Sequence, residues 1–331
     1  MHRIDEPTAV AQLPTPKQPG APGYFTQGNL NTGQDATIVT DDWANAVQEE
    51  ICTVIEAAGL VLSKTDHTQL LQAFSILTRR RLTADTTFYI SPTGNDANDG
   101  LTTATPWQSI QRGLDYIRDK IDAAGHQPRL QLANGAYAGF TWDAPTPDPA
   151  PLIVGNPTDV TLVTIPQNNG ACCYVSNAAQ LQIQALTIGG GGSAIAITAE
   201  DGGLVFPSDI TFDPCSQGHI IADAFGRIVV STGALFSIRG AAPSFLTSVT
   251  GGNVNFVGAH VDVVGTPNFS SGFAQVQANG NILSWGCTFN GPATGPHYLC
   301  NSNGVIDTHA SGETYFPGSV TGTKNNNGLY L

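Results

Sequence analysis

From Gln180 to Asp307 one short apolar phrase recurs with a glycine or polar turn beside it. It begins at Leu181, Leu204, Ile228, Val254, Ile282 and Val305, at spacings of 23, 24, 26, 28 and 23 residues. A second set of apolar runs falls between, at Ile195–Ile197, Ile220–Ile221, Phe245–Leu246, Phe273–Val276 and Tyr298–Cys300. A phrase this short cannot bury its own apolar face, so it becomes stable only by stacking on the copies before and after it. In the phrase at Leu181, Gln and Thr separate the apolar residues, which points those residues to one side of an extended backbone. About two dozen residues with two or three strands and sharp turns make one rung of a parallel β-helix. A β-sandwich also spaces its strands regularly. Asn-Gly hairpin turns between adjacent strands are scarce here and the period is steady, so the solenoid is preferred.

The pattern divides the rest of the chain. Residues 1–40 are rich in Pro, Gly, Thr and Gln, and read as an extended arm without a core, ordered by a partner or left as a tail. In 41–85, Trp43, Val47, Ile51, Val54, Ile55 and Ala58 fall at helical steps, with Asp41 or Asp42 to cap and Gly59 to stop. A second helix starts near Thr65 or Asp66 and carries Leu70, Leu71, Phe74 and Leu77 on one face. So small a hairpin is insecure alone, and its apolar face is expected to meet another copy or a partner. In 86–125, Ile110, Leu114, Ile117 and Ile121 mark an amphipathic helix, expected to lie across the open first rung as an N-terminal cap. The solenoid proper is 126–311. The proline-rich stretch 145–151 cannot join a ladder and reads as a projecting loop. Residues 312–331 break the rhythm and read as a C-terminal cap or a contact between chains.

Two stretches resemble known families. Gly23-Tyr24-Phe25-Thr26, Asp42-Trp43-Ala44-Asn45-Ala46-Val47-Gln48-Glu49-Glu50-Ile51, Ile55–Leu60 and Gln69–Ala73 resemble the N-terminal attachment region of bacteriophage tail fibre and tail spike proteins, over roughly residues 7–78. Phe88–Leu101, followed by Thr105-Pro106-Trp107, is similar to the entry of right-handed parallel β-helix proteins of the pectate-lyase-like group. The first resemblance implies a virion protein, made in the host bacterial cytoplasm, that is fixed to the tail or baseplate, usually as a homotrimer. On that footing Tyr24, Phe25, Trp43, Val47, Ile51 and Ile55 are the tail-attachment candidates. A mainly β protein with a right-handed parallel β-helix, preceded by a helical hairpin and an extended arm, is the expected fold.

Composition narrows the chemistry. The net charge is −13 and only 12% of residues are charged, so there is no basic stripe for nucleic acid. Arg79-Arg80-Arg81 reads as a helix C-terminus rather than a phosphate patch. No stretch is long and apolar enough to cross a bilayer, and residues 1–7 carry no hydrophobic signal core. The six cysteines have no metal-ligand spacing and read as buried free thiols, and no cofactor or metal is expected. Asp96-Ala-Asn98-Asp99-Gly100 is oxygen-rich but lacks the distal glutamate of a calcium loop, so a turn held by its own side chains is preferred. Gly189–Gly192 reads as a rung turn, since no Lys-Ser/Thr follows.

If the body were an enzyme, the reaction would be cleavage of host polysaccharide, needing two carboxylates across the scissile bond or a base with a charge stabiliser. Asp209, Asp213 and Asp223 form the one promising acidic cluster, with His260 on the same face as Asp209 a rung or two away. Turn residues facing water are the simpler account of these positions. Sugars stack on exposed rings, which makes Phe140, Trp142 and Trp285, with Trp107 beside them, glycan-binding candidates. The sequence therefore favours a tail fibre or short tail spike, bound to tail or baseplate proteins and to a bacterial surface glycan. The alternatives are a polysaccharide depolymerase and a purely architectural tail component.

Overall fold

A computed structural model describes residues 2–144, 147–166 and 170–331. The proline-rich loop expected at 145–151 lies partly outside them. The chain falls into two compact units, Met1–Arg80 and Arg81–Leu331.

In the first unit, helix α1 spans Asp41–Ala57 and helix α2 spans Gln69–Leu77. Thr40 rather than an aspartate is the N-cap of α1, its hydroxyl accepting the Trp43 N–H at 3.3 Å. Asp41 and Asp42 occupy the first turn, where a negative charge suits the positive end of the helix dipole. The two helices meet through Cys52, Ile55 and Ala73, all fully buried. The arm is tied to α1 by charge: Arg3 pairs with Glu49 at 2.8 Å and with Glu56 at 2.7 Å, and Lys17 with Asp41 at 2.9 Å.

The second unit is mainly β, a parallel solenoid whose turns cross three faces. The first face stacks, in order, Thr86–Ile90, Pro128–Leu132, Leu152–Val154, Gln180–Ile188, Leu204–Phe212, Arg227–Val229, Asn253–Asn255, Asn281–Leu283, Val305–Asp307 and Leu329–Tyr330. The second face stacks Gly135–Ala136 on Val163–Ile165, then the distal halves of the two nine-residue strands, then Leu235–Ile238, His260–Val263 and Thr288–Asn290. The third face runs from Phe140–Trp142 through Ala171–Val175, Ile195–Ala199, Gly218–Ala222, Leu246–Ser248, Ala274–Val276 and Tyr298–Cys300 to Thr323–Lys324.

Register turns the sequence pattern into a core. Leu181, Val205, Ile228, Val254, Ile282 and Ile306 align one above another and are all fully buried. Each such side chain removed from water is worth about 1.5–3 kcal/mol. Two phrase starts, Leu204 and Val305, are therefore one residue early. Because side chains alternate, that step leaves both half-buried and gives the core place to the next residue. Farther along, phenylalanines fill the interior: Phe236 contacts Phe256 at 5.3 Å, Phe245 contacts Phe256 at 5.5 Å and Phe273 at 5.2 Å, and Phe273 meets Phe289 at 5.3 Å.

One corner, between third and first face, repeats in nearly every turn. Its middle pair has positive φ at Asp201-Gly202, Ala224-Phe225, Thr250-Gly251, Ala278-Asn279, Ser302-Asn303 and Asn326-Asn327. A glycine follows each of these pairs, where a Cβ would meet the backbone of the turn below: 1.9 Å from the Ala199 carbonyl oxygen at Gly226, 2.2 Å from that of Ala222 at Gly252 and 2.1 Å from that of Ser248 at Gly280. The earlier corner at Asn177-Ala178 is followed instead by the buried Ala179. Residues 312–331, expected as a cap or chain contact, carry the last of these corners and the strands Thr323–Lys324 and Leu329–Tyr330, which stack on Tyr298–Cys300 and Val305–Asp307. The ladder thus runs on through them.

Helix α3, Ile110–Lys120, lies over the opening turn with Ile110, Leu114 and Ile117 buried. It packs so closely that a Cβ on Gly113 would stand 2.9 Å from Leu130. Asp96 takes the N–H groups of Gln108 and Ser109, at the start of α3, at 2.7 and 2.9 Å, and Asp99 takes that of Leu101 at 3.0 Å, so both carboxylates of the oxygen-rich turn are engaged by backbone N–H groups. Asp96 is held below the usual carboxylate range; burial opposes that shift, and the Ser109 and Gln108 hydrogen bonds outweigh it. All six cysteines are free thiols, five buried and Cys287 half-buried.

Candidate functional site

The second face carries a polar column on its outer side. Thr164, Thr187, Thr211, Ser237, Asp262 and Asn290 succeed one another turn by turn. Beside it stand Leu235, His260 and Thr288. Thr187 and Thr211 point outward yet are 0% and 3% exposed, because the short helical turn Val160–Leu162 covers them. The Thr187 hydroxyl donates to the Val160 carbonyl at 3.0 Å. That cover is rigid for a local reason: Asn156 accepts the N–H groups of Thr158 and Asp159 at 2.9 and 3.1 Å, and Asp159 accepts that of Thr161 at 2.9 Å. The Thr161 hydrogen bonds hold the Asp159 carboxyl below its ordinary range.

Where the cover ends, a groove of about 360 Å³ opens along the face. Pro157 and Val160 form one wall, Thr211, Leu235 and Ser237 lie on the strands beneath, and Asp209 and Asp262 also line it. Leu235 stands 57% exposed. Asp209 owes its place to backbone geometry. It sits at the corner where the strand Leu204–Phe212 turns from first face to second, with φ 54°, as does Ala185 with φ 60° one turn earlier. Aspartate is among the few non-glycine residues that enter this region readily. Its carboxylate accepts the Leu235 N–H of the next turn at 3.1 Å. Asp262 accepts from the Asn290 amide at 3.1 Å, and His260 Nδ1 lies 2.6 Å from the Thr288 hydroxyl.

The expected acidic cluster is not brought together. Asp209, Asp213 and Asp223 stand at three different corners of the coil: Asp213 pairs with Arg239 at 3.0 Å, and Asp223 accepts the Ala224 N–H at 2.7 Å. Asp209 and His260 do share one face, two turns apart with Leu235 between them. Two of the aromatic candidates are corrected. Phe140 and Trp142 are 4% and 1% exposed, since they begin the third face and point into the core, where the Trp142 Nε1–H donates to the Gln180 carbonyl at 3.0 Å. Trp107 is also fully buried, its Nε1–H donating to the Asn98 carbonyl at 2.7 Å. Trp285 remains half-buried, its ring 5.4 Å from that of His309. Asp262 was legible as the second outward residue of the alternating His260-Val-Asp-Val263. Pro157 and Val160 carried no signal, because which turn a connecting segment folds over is a tertiary fact.

Among the attachment candidates, Tyr24, Phe25, Trp43 and Val47 are exposed, and Phe25 meets Trp43 edge to face at 5.2 Å. Ile51 is half-buried. Ile55 is corrected: it is fully buried between the helices and unavailable to a partner. Leu71 at 70% and Phe74 at 51% are exposed apolar residues of α2.

The molecule is a mainly β protein built on a parallel β-solenoid, with a small helical unit ahead of it. Among curated proteins it is similar to the uncharacterized protein StfP of Escherichia coli (strain K12), 44% identical over 77 residues, 23% of this chain and 35% of that protein. The chain thus spans about a third of that relative's length. No family model matches, and no solved structure matches.

Proposed function

We propose that the chain is a bacteriophage tail fibre or short tail spike protein: a homotrimer, fixed to the tail or baseplate through its first unit, that holds a bacterial surface glycan on its solenoid. The resemblance of residues 7–78 to tail attachment regions supports the first part, as does the exposed apolar surface of Trp43, Val47, Leu71 and Phe74. The observation that carries the second part is the groove on the second face, where hydroxyl and carboxylate groups at successive turns flank the exposed Leu235. Many weak polar contacts of this kind, multiplied over three chains and several fibres, give avidity without one tight site.

Holding fits the groove better than cutting. Asp209 and Asp262 lie two turns apart and two residues out of line along the strand, about 12 Å between backbone positions, wider than the roughly 5–5.5 Å between the carboxyls of a retaining glycosidase or the roughly 6.5–9.5 Å of an inverting one. Both carboxylates are also engaged within the protein, Asp209 by the Leu235 N–H and Asp262 by the Asn290 side-chain amide. The test is incubation of the protein with purified surface polysaccharide of the host cell, reading both retention and new reducing ends or unsaturated products. Retention without release is expected. Release that disappears in Asp209→Ala or Asp262→Ala would replace this reading with a depolymerase.

A further inference from the structure

We infer that the groove on the second face selects neutral, hydroxyl-rich glycan and rejects chains carrying carboxylate or phosphate groups. This rests on the reading of the groove as a glycan site and adds its ligand class. The argument is charge complementarity. Two carboxylates, Asp209 and Asp262, line the groove, and no lysine or arginine is among its described lining residues. The nearby cation, Arg239, gives its guanidinium to Asp213, with Nη2 at 3.0 Å and Nε at 3.1 Å from the same carboxylate oxygen. An acidic sugar entering here therefore meets two negative charges on a protein of net charge −13, with no lysine or arginine among the described lining residues to offset them.

A neutral sugar fits the same groups. Each carboxylate has one hydrogen bond from the protein, to Leu235 N–H or to the Asn290 amide. An ionised carboxylate offers about four acceptor sites, so capacity remains for sugar hydroxyls. Ser237, on the strand between, adds a hydroxyl that donates or accepts. Leu235, Pro157 and Val160 supply apolar surface for the C–H face of a sugar ring. Carboxylates arranged this way reject by repulsion while accepting hydroxyl donors, so one set of groups supplies both the attraction and the discrimination.

The experiment uses the full chain and a panel of purified bacterial surface polysaccharides. Each uronate-containing member is tested in its native form and after chemical reduction of its carboxyl groups to primary alcohols, so that backbone and linkages are unchanged. Neutral members are tested directly. Binding is measured at low ionic strength, where like-charge repulsion is least screened, and again at high salt. The carboxyl-reduced form is expected to bind about tenfold or more tightly than its acidic parent at low salt, with the gap narrowing at high salt and in the double variant Asp209→Asn/Asp262→Asn. The amide oxygens of that variant still accept the Leu235 and Asn290 hydrogen bonds, so the fold is kept. Ser237→Trp, which fills the groove from its base, is expected to abolish binding of every ligand while leaving the circular dichroism and melting profile of the solenoid in place.

The outcomes separate the two readings. Binding that survives Ser237→Trp overturns the groove itself as the glycan site, and so does absence of binding across the whole panel. Binding that Ser237→Trp abolishes, but that is equal or stronger for the acidic parents, leaves the groove standing and overturns its selectivity.

Discussion

His219 is a histidine whose surroundings differ sharply from water. It is fully buried, with its ring 5.4 Å from Phe212 and 6.1 Å from both Phe245 and Phe269. Its one recorded hydrogen bond runs from Nε2–H to the Asp213 carbonyl at 3.1 Å. Burial disfavours the imidazolium and pulls its pKa from 6.5 down to about 4. Above pH 6.5 the ring is neutral in both folded and unfolded chains, and the folded state loses nothing. Between 6.5 and about 4 the unfolded chain binds a proton that the folded one refuses, so stability falls as the pH falls, by up to about 3 kcal/mol. Chemical denaturation at pH 7.5, 5.5 and 4.5 is expected to show this loss, and His219→Leu to flatten it. An unchanged pH slope in the variant would place the acid sensitivity elsewhere.

At the scale of the element, the corner between third and first face recurs in nearly every turn of the coil. Its glycines sit where a methyl group has no room, so Gly226→Ala, with its Cβ at 1.9 Å from a backbone oxygen, is expected to cost about 1–3 kcal/mol in denaturant titrations. Gly202→Ala meets nothing closer than 3.8 Å and pays for positive φ alone, about 1 kcal/mol. A larger loss at Gly202 than at Gly226 would remove steric exclusion as the cause. The same corner shows how far the sequence could be read. Alternating apolar phrases, the two helices and the capping helix were legible because periodicity reports which side of an element is buried. The corner hid in plain view: Asn279-Gly280, Asn303-Gly304 and Asn327-Gly328 have hairpin chemistry, but they join parallel faces of a coil, which local sequence does not distinguish. The misplacement of Phe140 and Trp142 has a similar root, since an aromatic residue in a strand of three has too little alternation around it to say which way it points. On the second face, Asp209 and His260 were found by their position in the repeat, while the wall of the groove comes from a connecting segment that has no repeat.

For the whole molecule, the two compact units suggest a division of labour that truncation can test. On the proposed function, particles carrying only residues 1–85 are expected to retain the fragment on the tail and to lose host adsorption. Full adsorption by such particles would leave the solenoid an architectural role. Low charge content suits this division: with 12% charged residues, the polar side chains of the chain are mostly hydroxyls and amides, which exchange water for sugar hydroxyls at little net cost in hydrogen bonds.

The recurring glycine corner also bears on how such a chain changes length. Gly226 and Gly252 occupy equivalent places one coil apart, and the residues after them, Arg227 and Asn253, are aligned partners. Excising the segment from one such place to the next would bring together two ends that already share backbone conformation, direction and register. The rod would shorten by a single increment of about 4.8 Å, and duplication would lengthen it by the same amount. A solenoid joined at such corners can therefore change length in whole coils, with each remaining coil still stacked on its neighbours.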